Sequence, residues 1–102
     1  MTQKEVLILL AKAKKDAQAL GFERIGLFGS YATATANTMS DVDIAVYSNK
    51  KKTGLGFAYL ASLEQLKYTL QKLFKRPIDL YDLNSSHQTT IKKHIEQEVI
   101  HV

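Results

Sequence analysis

Two aspartates open a strongly apolar segment of the chain, and they limit what that segment can fold into. From residue 41 the sequence reads DVDIAV. The apolar residues predict a buried strand, whereas aspartate is depleted in strands. Alternate side chains of a strand share one face, so Asp41 and Asp43 lie together while Val42 and Ile44 face the core. The sequence therefore predicts a core strand with two carboxylates on one face.

Neighbouring carboxylates repel each other, and this raises their pKa values unless a cation lies between them. Hard oxygen ligands favour Mg²⁺ or Mn²⁺ over Zn²⁺, and the chain has no cysteine. The structural alternative is that Asp41 caps a turn and Asp43 is a solvated residue of an edge strand. The short Asp-x-Asp pattern does not by itself decide between the two interpretations.

A second motif precedes the aspartates. The segment RIGLF, residues 24–28, predicts another buried strand that ends at Gly29 and Ser30. Glycine lets the backbone approach a ligand closely, and backbone N–H groups with a hydroxyl can hold phosphate oxygens. A phosphate site that faces a divalent-cation site indicates a metal–nucleoside triphosphate and hence phosphoryl or nucleotidyl transfer.

Such a site needs a third acid, and the segment PIDLYDL, residues 77–83, offers Asp79 and Asp82. Asp79 lies in mid-strand between two apolar residues, where an unpaired charge is costly. Asp82 lies near the end of the strand, where a cap or turn role is expected. We therefore predict that Asp79 belongs to the site.

The remaining pattern predicts helices around these strands. Apolar residues recur at helical spacing from Val6 to Leu20 and from Leu63 to Phe74, and Gly21 and Pro77 follow. The segment from Ser48 to Gly56 reads as a polar loop. Ser85 and Ser86 are candidate N-caps of a last helix that contains Ile91 and Ile95. This order predicts an α/β (α+β) fold, with a small mixed sheet of three to four strands and helices packed against it.

Composition excludes several classes of protein. The 102 residues suit a single domain over 1–102, and no run approaches the roughly 20 apolar residues of a membrane span. The N-terminal segment lacks the features of a signal peptide, so we expect a cytoplasmic protein. The net charge of +4 suits phosphate-bearing ligands or an acidic partner. The chain has only two arginines, which argues against direct readout of nucleic-acid bases.

Gly29-Ser30, ten further residues and the Asp41/Asp43 pair together resemble the signature of the polymerase-β-like nucleotidyltransferases. The short length resembles their minimal branch. The resemblance implies that Asp41 and Asp43 bind two Mg²⁺ ions, and that Asp79 completes the metal site and helps to deprotonate an acceptor hydroxyl. Gly29 and Ser30 would hold the triphosphate of ATP. The acceptor oxygen would then attack the α-phosphorus and release pyrophosphate.

The segment after Ser30 departs from the pattern of many members, which read Gly-Ser-Arg-Ala-Arg/Lys-Gly. Here Tyr31, Thr33 and Ala34 replace the basic residues and the second glycine. We expect the phosphate charge to be met from elsewhere, such as by Lys50–Lys52 or by a partner.

The resemblance also implies a partner protein. Minimal members are commonly encoded beside an all-helical HEPN protein and act as antitoxins that adenylylate a tyrosine of this toxic ribonuclease. Two alternatives remain open at this point. The chain could be a catalytically weak antitoxin that acts by binding alone, or the catalytic subunit of a two-protein enzyme that nucleotidylates a small molecule.

Overall fold

A four-stranded mixed sheet organises the structure, a computed structural model that describes residues 2–33, 35–36, 41–84 and 89–102. Its strands are β1 (Phe22–Phe28), β2 (Val42–Ser48), β3 (Ile78–Asp82) and β4 (Ile100–His101). Their spatial order is β3-β2-β1-β4. Strand β2 runs parallel to β3, and β1 runs antiparallel to β2 and β4. The predicted small mixed sheet is confirmed.

Four helices complete the described part of the chain: α1 (Gln3–Ala19), α2 (Lys50–Thr53), α3 (Phe57–Phe74) and α4 (Thr89–Glu98). Helix α1 starts with a capping box, in which Thr2 accepts a hydrogen bond from the Glu5 backbone and the Glu5 side chain accepts one from the Thr2 backbone. Helix α3 is capped at its C-terminus by Lys75, which adopts the left-handed conformation two residues before Pro77. The predicted N-caps Ser85 and Ser86 lie outside the described residues.

The main core lies on one face of the sheet, beneath α1 and α3. Both helices turn their buried stripes towards it, and Val42 and Ile44 of β2 are fully buried there, as the alternation predicts. The opposite face has a smaller cluster formed by Phe28, Ala45, Leu83 and Ile95, the last from α4. The apolar side chains of Val42 and Ile44 and the carboxylate of Asp43 therefore lie on opposite faces of β2. Asp43 is on the side of the smaller cluster.

The structure corrects the sequence prediction at one point and completes it at another. The expected polar loop from Ser48 to Gly56 contains the short helix α2, because the Asn49 side chain accepts a hydrogen bond from the Lys51 backbone and caps it. The prediction of three to four strands allowed for the two-residue strand β4 but did not locate it, since only pairing with β1 holds so short a segment extended. Within the described residues, no helix is both long enough and apolar enough to cross a membrane.

Asp82 forms a hydrogen-bond network where β2 and β3 end, as its position at the strand end predicts. Its carboxylate accepts hydrogen bonds from the Tyr59 hydroxyl at 2.7 Å and from the backbone N–H groups of Ser48 at 3.1 Å and Asn84 at 3.0 Å. Lys50 Nζ lies 3.5 Å from the same carboxylate and 3.5 Å from the centre of the Tyr59 ring. Burial alone would raise the pKa of Asp82, but hydrogen bonds from Ser48, Tyr59 and Asn84 lower it below its ordinary value.

We predict that Tyr59→Phe lowers the free energy of unfolding by about 1.5 kcal/mol, because it removes a hydrogen bond to a charged acceptor. The matched control is Tyr68→Phe on the same helix. The Tyr68 side chain is 57% exposed, so its change should stay within about 0.5 kcal/mol. Urea unfolding of both variants checks this. Equal stability of the two variants would contradict the proposed role of the Asp82 network.

Candidate active site

Asp43 and Asp79 are brought side by side by the parallel pairing of β2 and β3. The two residues are register partners, and both are half-buried. Asp43 is also the register partner of Phe28, the last residue of β1. Three strands therefore converge on Asp43, with the end of β1 on one side and Asp79 on the other.

The electrostatics of the pair favour a proton or a cation. The pKa of Asp43 is raised from 3.8 to about 6. Burial is the largest cause, followed by the negative charges of Asp79 and Asp41 and by a hydrogen bond with Asp79. Asp43 therefore lies in a concentration of negative charge that a positive ligand would relieve.

Asp41 takes a different place from the other two acids. It precedes β2 and is exposed, yet it is near enough for its charge to raise the pKa of Asp43. Among the residues that the structure describes, no three His, Asp or Glu side chains are gathered closely enough to hold a metal ion. The described arrangement is a facing pair, Asp43 and Asp79, with Asp41 at its margin. An all-oxygen donor set with one elevated pKa still has the chemistry that suits Mg²⁺.

Gly29 brings the backbone directly against this pair. Its φ of +74° lies in the left-handed region. A Cβ atom at this position would overlap Oδ2 of Asp43. Only glycine fits here, and the turn that carries Ser30 consequently lies beside the carboxylates.

The chain makes one tight turn after Gly29. The Thr33 backbone donates to the carbonyl of Gly29 at 3.1 Å, and the Thr33 hydroxyl donates to the same oxygen at 3.2 Å. The first N–H groups of such a turn point away from its own carbonyls, which suits phosphate oxygens. Gly29 and Ser30 occupy this start of the turn, next to Asp43.

Gln3 anchors this turn and was missed by the sequence analysis. Its side-chain amide donates to the carbonyls of Tyr31 at 3.1 Å and Ala32 at 2.7 Å. The contact joins the first residue of α1 to a turn 28 residues further along the chain. No local pattern signals such a contact, because it depends on how α1 packs against β1.

The residues that replace the family's basic positions have structural roles here. Tyr31 is 2% exposed, and its ring packs in the main core. The buried ring therefore anchors the turn after Gly29 to the core. Its hydroxyl has no hydrogen-bond partner among the described residues. Thr33 closes the turn through the two hydrogen bonds given above. Ala34 lies outside the described residues.

Lys50–Lys52 do not meet the expectation that they neutralise phosphate. They form most of α2, which follows the C-terminal end of β2, whereas Asp43 lies at its start. The seven residues of β2 separate the two places by roughly 20 Å. Lys50 instead pairs with Asp82.

Tyr81 provides an aromatic surface beside the carboxylates. It follows Asp79 by two residues on β3 and therefore lies on the same face. Its ring contacts Phe28 edge to face, with 5.1 Å between the ring centres. Tyr81 remains 41% exposed, so an aromatic wall borders the site.

A mixed sheet that pairs two strand aspartates beside a Gly-Ser turn is the arrangement of a nucleotidyltransferase domain. Residues 11–102 match the family described as "Polymerase beta, Nucleotidyltransferase". The chain belongs to this family.

Individual relatives define more narrowly where the chain belongs within this family. It is 32% identical to the protein adenylyltransferase MntA of Thermococcus cleftensis, over 100% of this chain and 97% of that one. A solved structure named "Structure of putative minimal nucleotidyltransferase" superimposes with a TM-score of 0.72 at 21% identity, over 98% of this chain and 95% of that one. A second, a toxin–antitoxin crystal structure with AMP-PNP, matches at 25% identity with a TM-score of 0.63, over 99% and 72% of the two chains. The chain belongs to the minimal nucleotidyltransferase group.

We predict that Gly29→Ala destabilises the protein and abolishes its stabilisation by ATP with Mg²⁺, because the new methyl group displaces Asp43. Gly56→Ala is the matched control. Gly56 also has a positive φ, of +59°, but a Cβ there has nothing within 4 Å. It should lose about 1–3 kcal/mol from backbone strain and keep the response to ATP. Thermal unfolding with and without ATP and Mg²⁺ checks this, and a full response in Gly29→Ala would contradict it.

The raised pKa of Asp43 predicts how stability changes with pH in metal-free buffer. The folded state binds the proton of the Asp43 carboxyl more tightly than the unfolded chain does. Protonation of Asp43 therefore adds to the free energy of unfolding, and this contribution is fully present below about pH 4. It is lost as the pH rises through about 6. Asp43→Asn should remove this loss and be more stable than the wild type at pH 7.5. Asp16→Asn, at an exposed position of α1, should follow the wild type. Parallel stability curves for the wild type and Asp43→Asn between pH 4 and 7 would contradict this.

Proposed function

We propose that this chain transfers AMP from ATP to a tyrosine hydroxyl of a HEPN-family toxin and thereby acts as its antitoxin. The observation that carries the proposal is the Asp43–Asp79 pair facing the Gly29 turn in a member of the nucleotidyltransferase family. A carboxylate pair beside a glycine turn combines the two features that this transfer needs, a cation site and a phosphate site.

The residues divide the work between the nucleotide and the acceptor. The backbone at Gly29 and Ser30 holds the triphosphate, and the Gln3 side chain keeps that turn in place. Asp43 and Asp79, with Asp41 at their margin, would bind Mg²⁺ together with phosphate oxygens of the nucleotide, and the ion would neutralise charge on the triphosphate and the leaving pyrophosphate. This donor set fits a hard divalent cation because its ligands are oxygen and its charge is concentrated.

Transfer itself needs an activated acceptor. The acceptor oxygen attacks the α-phosphorus of ATP, the bond from that phosphorus to the pyrophosphate oxygen breaks, and Asp79 takes the acceptor proton. Asp79 suits this role because it lies at the open edge of the pair, next to the aromatic wall of Tyr81 and Phe28. In this proposal the partner brings the tyrosine to the open edge of the pair.

The relatives support the partner. The Thermococcus protein is named a protein adenylyltransferase, and the structure with AMP-PNP is a toxin–antitoxin complex. AMP-PNP is an analogue of ATP, which supports ATP as the donor. The HEPN identity of the toxin and its tyrosine acceptor come from the family resemblance.

Incubation with ATP labelled at the α-phosphate, Mg²⁺ and the HEPN-family protein of the same organism tests the proposal. We expect label on a toxin tyrosine, identified by mass spectrometry, and at least a 100-fold lower rate in Asp43→Asn and Asp79→Asn. Asp16→Asn is the control and should keep the wild-type rate. Toxin neutralised without label would contradict transfer and favour an antitoxin that acts by binding. Label on an added small molecule alone would favour the two-protein enzyme.

A further inference from the structure

An exposed apolar patch lies at the end of the molecule opposite the candidate active site. It consists of Leu55, Phe57 and Leu60, whose side chains are 72%, 91% and 52% exposed. Phe57 and Leu60 are three residues apart on α3 and share one face. Exposed large side chains occur singly on most surfaces, but a cluster of three indicates a binding surface.

The backbone holds this patch in a fixed shape. The Gly54 N–H donates to the Lys50 carbonyl at 3.0 Å, and the Leu60 N–H donates to the Gly56 carbonyl at 3.1 Å. The Ser62 hydroxyl reaches back to the Thr53 carbonyl at 3.4 Å. The three apolar side chains are therefore presented by a connection that is tied to helices on both sides, which limits the entropy lost on binding.

Positive charge borders the patch on one side. Lys51 and Lys52 of α2 are exposed just before Leu55. Helix α3 begins beside them, and its N-cap is Gly56, which has no side chain to satisfy the first N–H groups. The nearest acid along α3 is Glu64, about one turn beyond Leu60. A helix start and two lysines at one border favour carboxylates in whatever binds there.

We propose that Leu55, Phe57 and Leu60, bordered by Lys51 and Lys52, form the docking surface for the partner toxin. The bound segment of the toxin presents apolar side chains next to aspartate or glutamate. This inference rests on the proposed function for the identity of the partner, and it adds where the partner is held. Charge complementarity favours an acidic protein segment over a second copy of this chain. A symmetric dimer contact centred on Phe57 would bring the positive N-termini of two α3 helices together.

Docking and transfer are separate on this surface. The patch follows the C-terminal end of β2. Asp43 lies at the N-terminal end of the same strand, roughly 20 Å from the patch. A change in the patch should therefore weaken the complex and leave the carboxylate pair and the Gly29 turn unaltered.

Binding of the HEPN-family protein of the same organism, measured by isothermal titration calorimetry, tests the proposal. Phe57→Ser should weaken the complex by a factor of about 30, as truncation of a buried aromatic anchor does. The double variant Lys51→Glu/Lys52→Glu should also weaken it, and the dependence on salt concentration should decrease. Ile8→Ser is the matched control, because Ile8 is 50% exposed on α1 and lies outside the patch.

Each outcome bears on one proposal or the other. Wild-type affinity in Phe57→Ser would overturn the docking surface and leave the proposed function standing. Absence of any complex with the wild-type chain would overturn the toxin as partner, and the docking surface with it. A wild-type dimer that Phe57→Ser converts to a monomer, measured by light scattering, would show a contact between copies of this chain and overturn the proposal. Loss of the complex in Phe57→Ser, with stabilisation by ATP and Mg²⁺ retained, supports it and excludes misfolding.

Discussion

The parallel register of β2 and β3 is the constraint on which the candidate site depends, because it forces Asp43 and Asp79 to face each other. Two like charges at neighbouring strand positions repel each other, and the sheet does not relax to avoid this. The opposite face of the same strands explains why. Val42 and Ile78 next to the aspartates are buried in the main core, and a shift of one residue would expose them and bury the acids.

The two ends of this strand pair show how hydrogen-bond donors decide the state of a carboxylate. Asp43 and Asp82 are both partly buried, and burial raises the pKa of each. Asp82 accepts from Tyr59, Ser48 and Asn84, and its pKa is lowered in consequence. Asp43 has acidic neighbours in Asp79 and Asp41, and its pKa is raised. The charge of Asp82 is satisfied within the fold, whereas that of Asp43 calls for an external partner. This difference separates an acid that stabilises the structure from one suited to a ligand.

The sequence allows most of this to be predicted where the signal is local. Strand alternation correctly placed Val42 and Ile44 in the core, and the position of Asp82 at a strand end correctly indicated a hydrogen-bonding role. The Gly-Ser and Asp-x-Asp motifs led to the right family. Contacts between distant segments were not predictable in the same way. Gln3 reaches the turn after Gly29 only because α1 packs against β1, and β4 is extended only through its pairing. The expectation that Lys50–Lys52 neutralise the phosphates was wrong. These lysines follow the C-terminal end of β2 and Asp43 lies at its start, an arrangement that depends on the direction of the strand.

The direction of β2 also bears on the proposal that this chain binds and modifies another protein. One strand of seven residues carries Asp43 at its start and leads at its end into α2 and the start of α3. Between these ends the strand is buried on both faces, by the main core and by the cluster around Ala45. A rigid strand of this kind keeps two surfaces at a fixed distance without needing a second domain. A partner docked at Phe57, as proposed, would have to extend along the sheet to reach the carboxylates. The same fixed distance would then select which of its tyrosines is within reach.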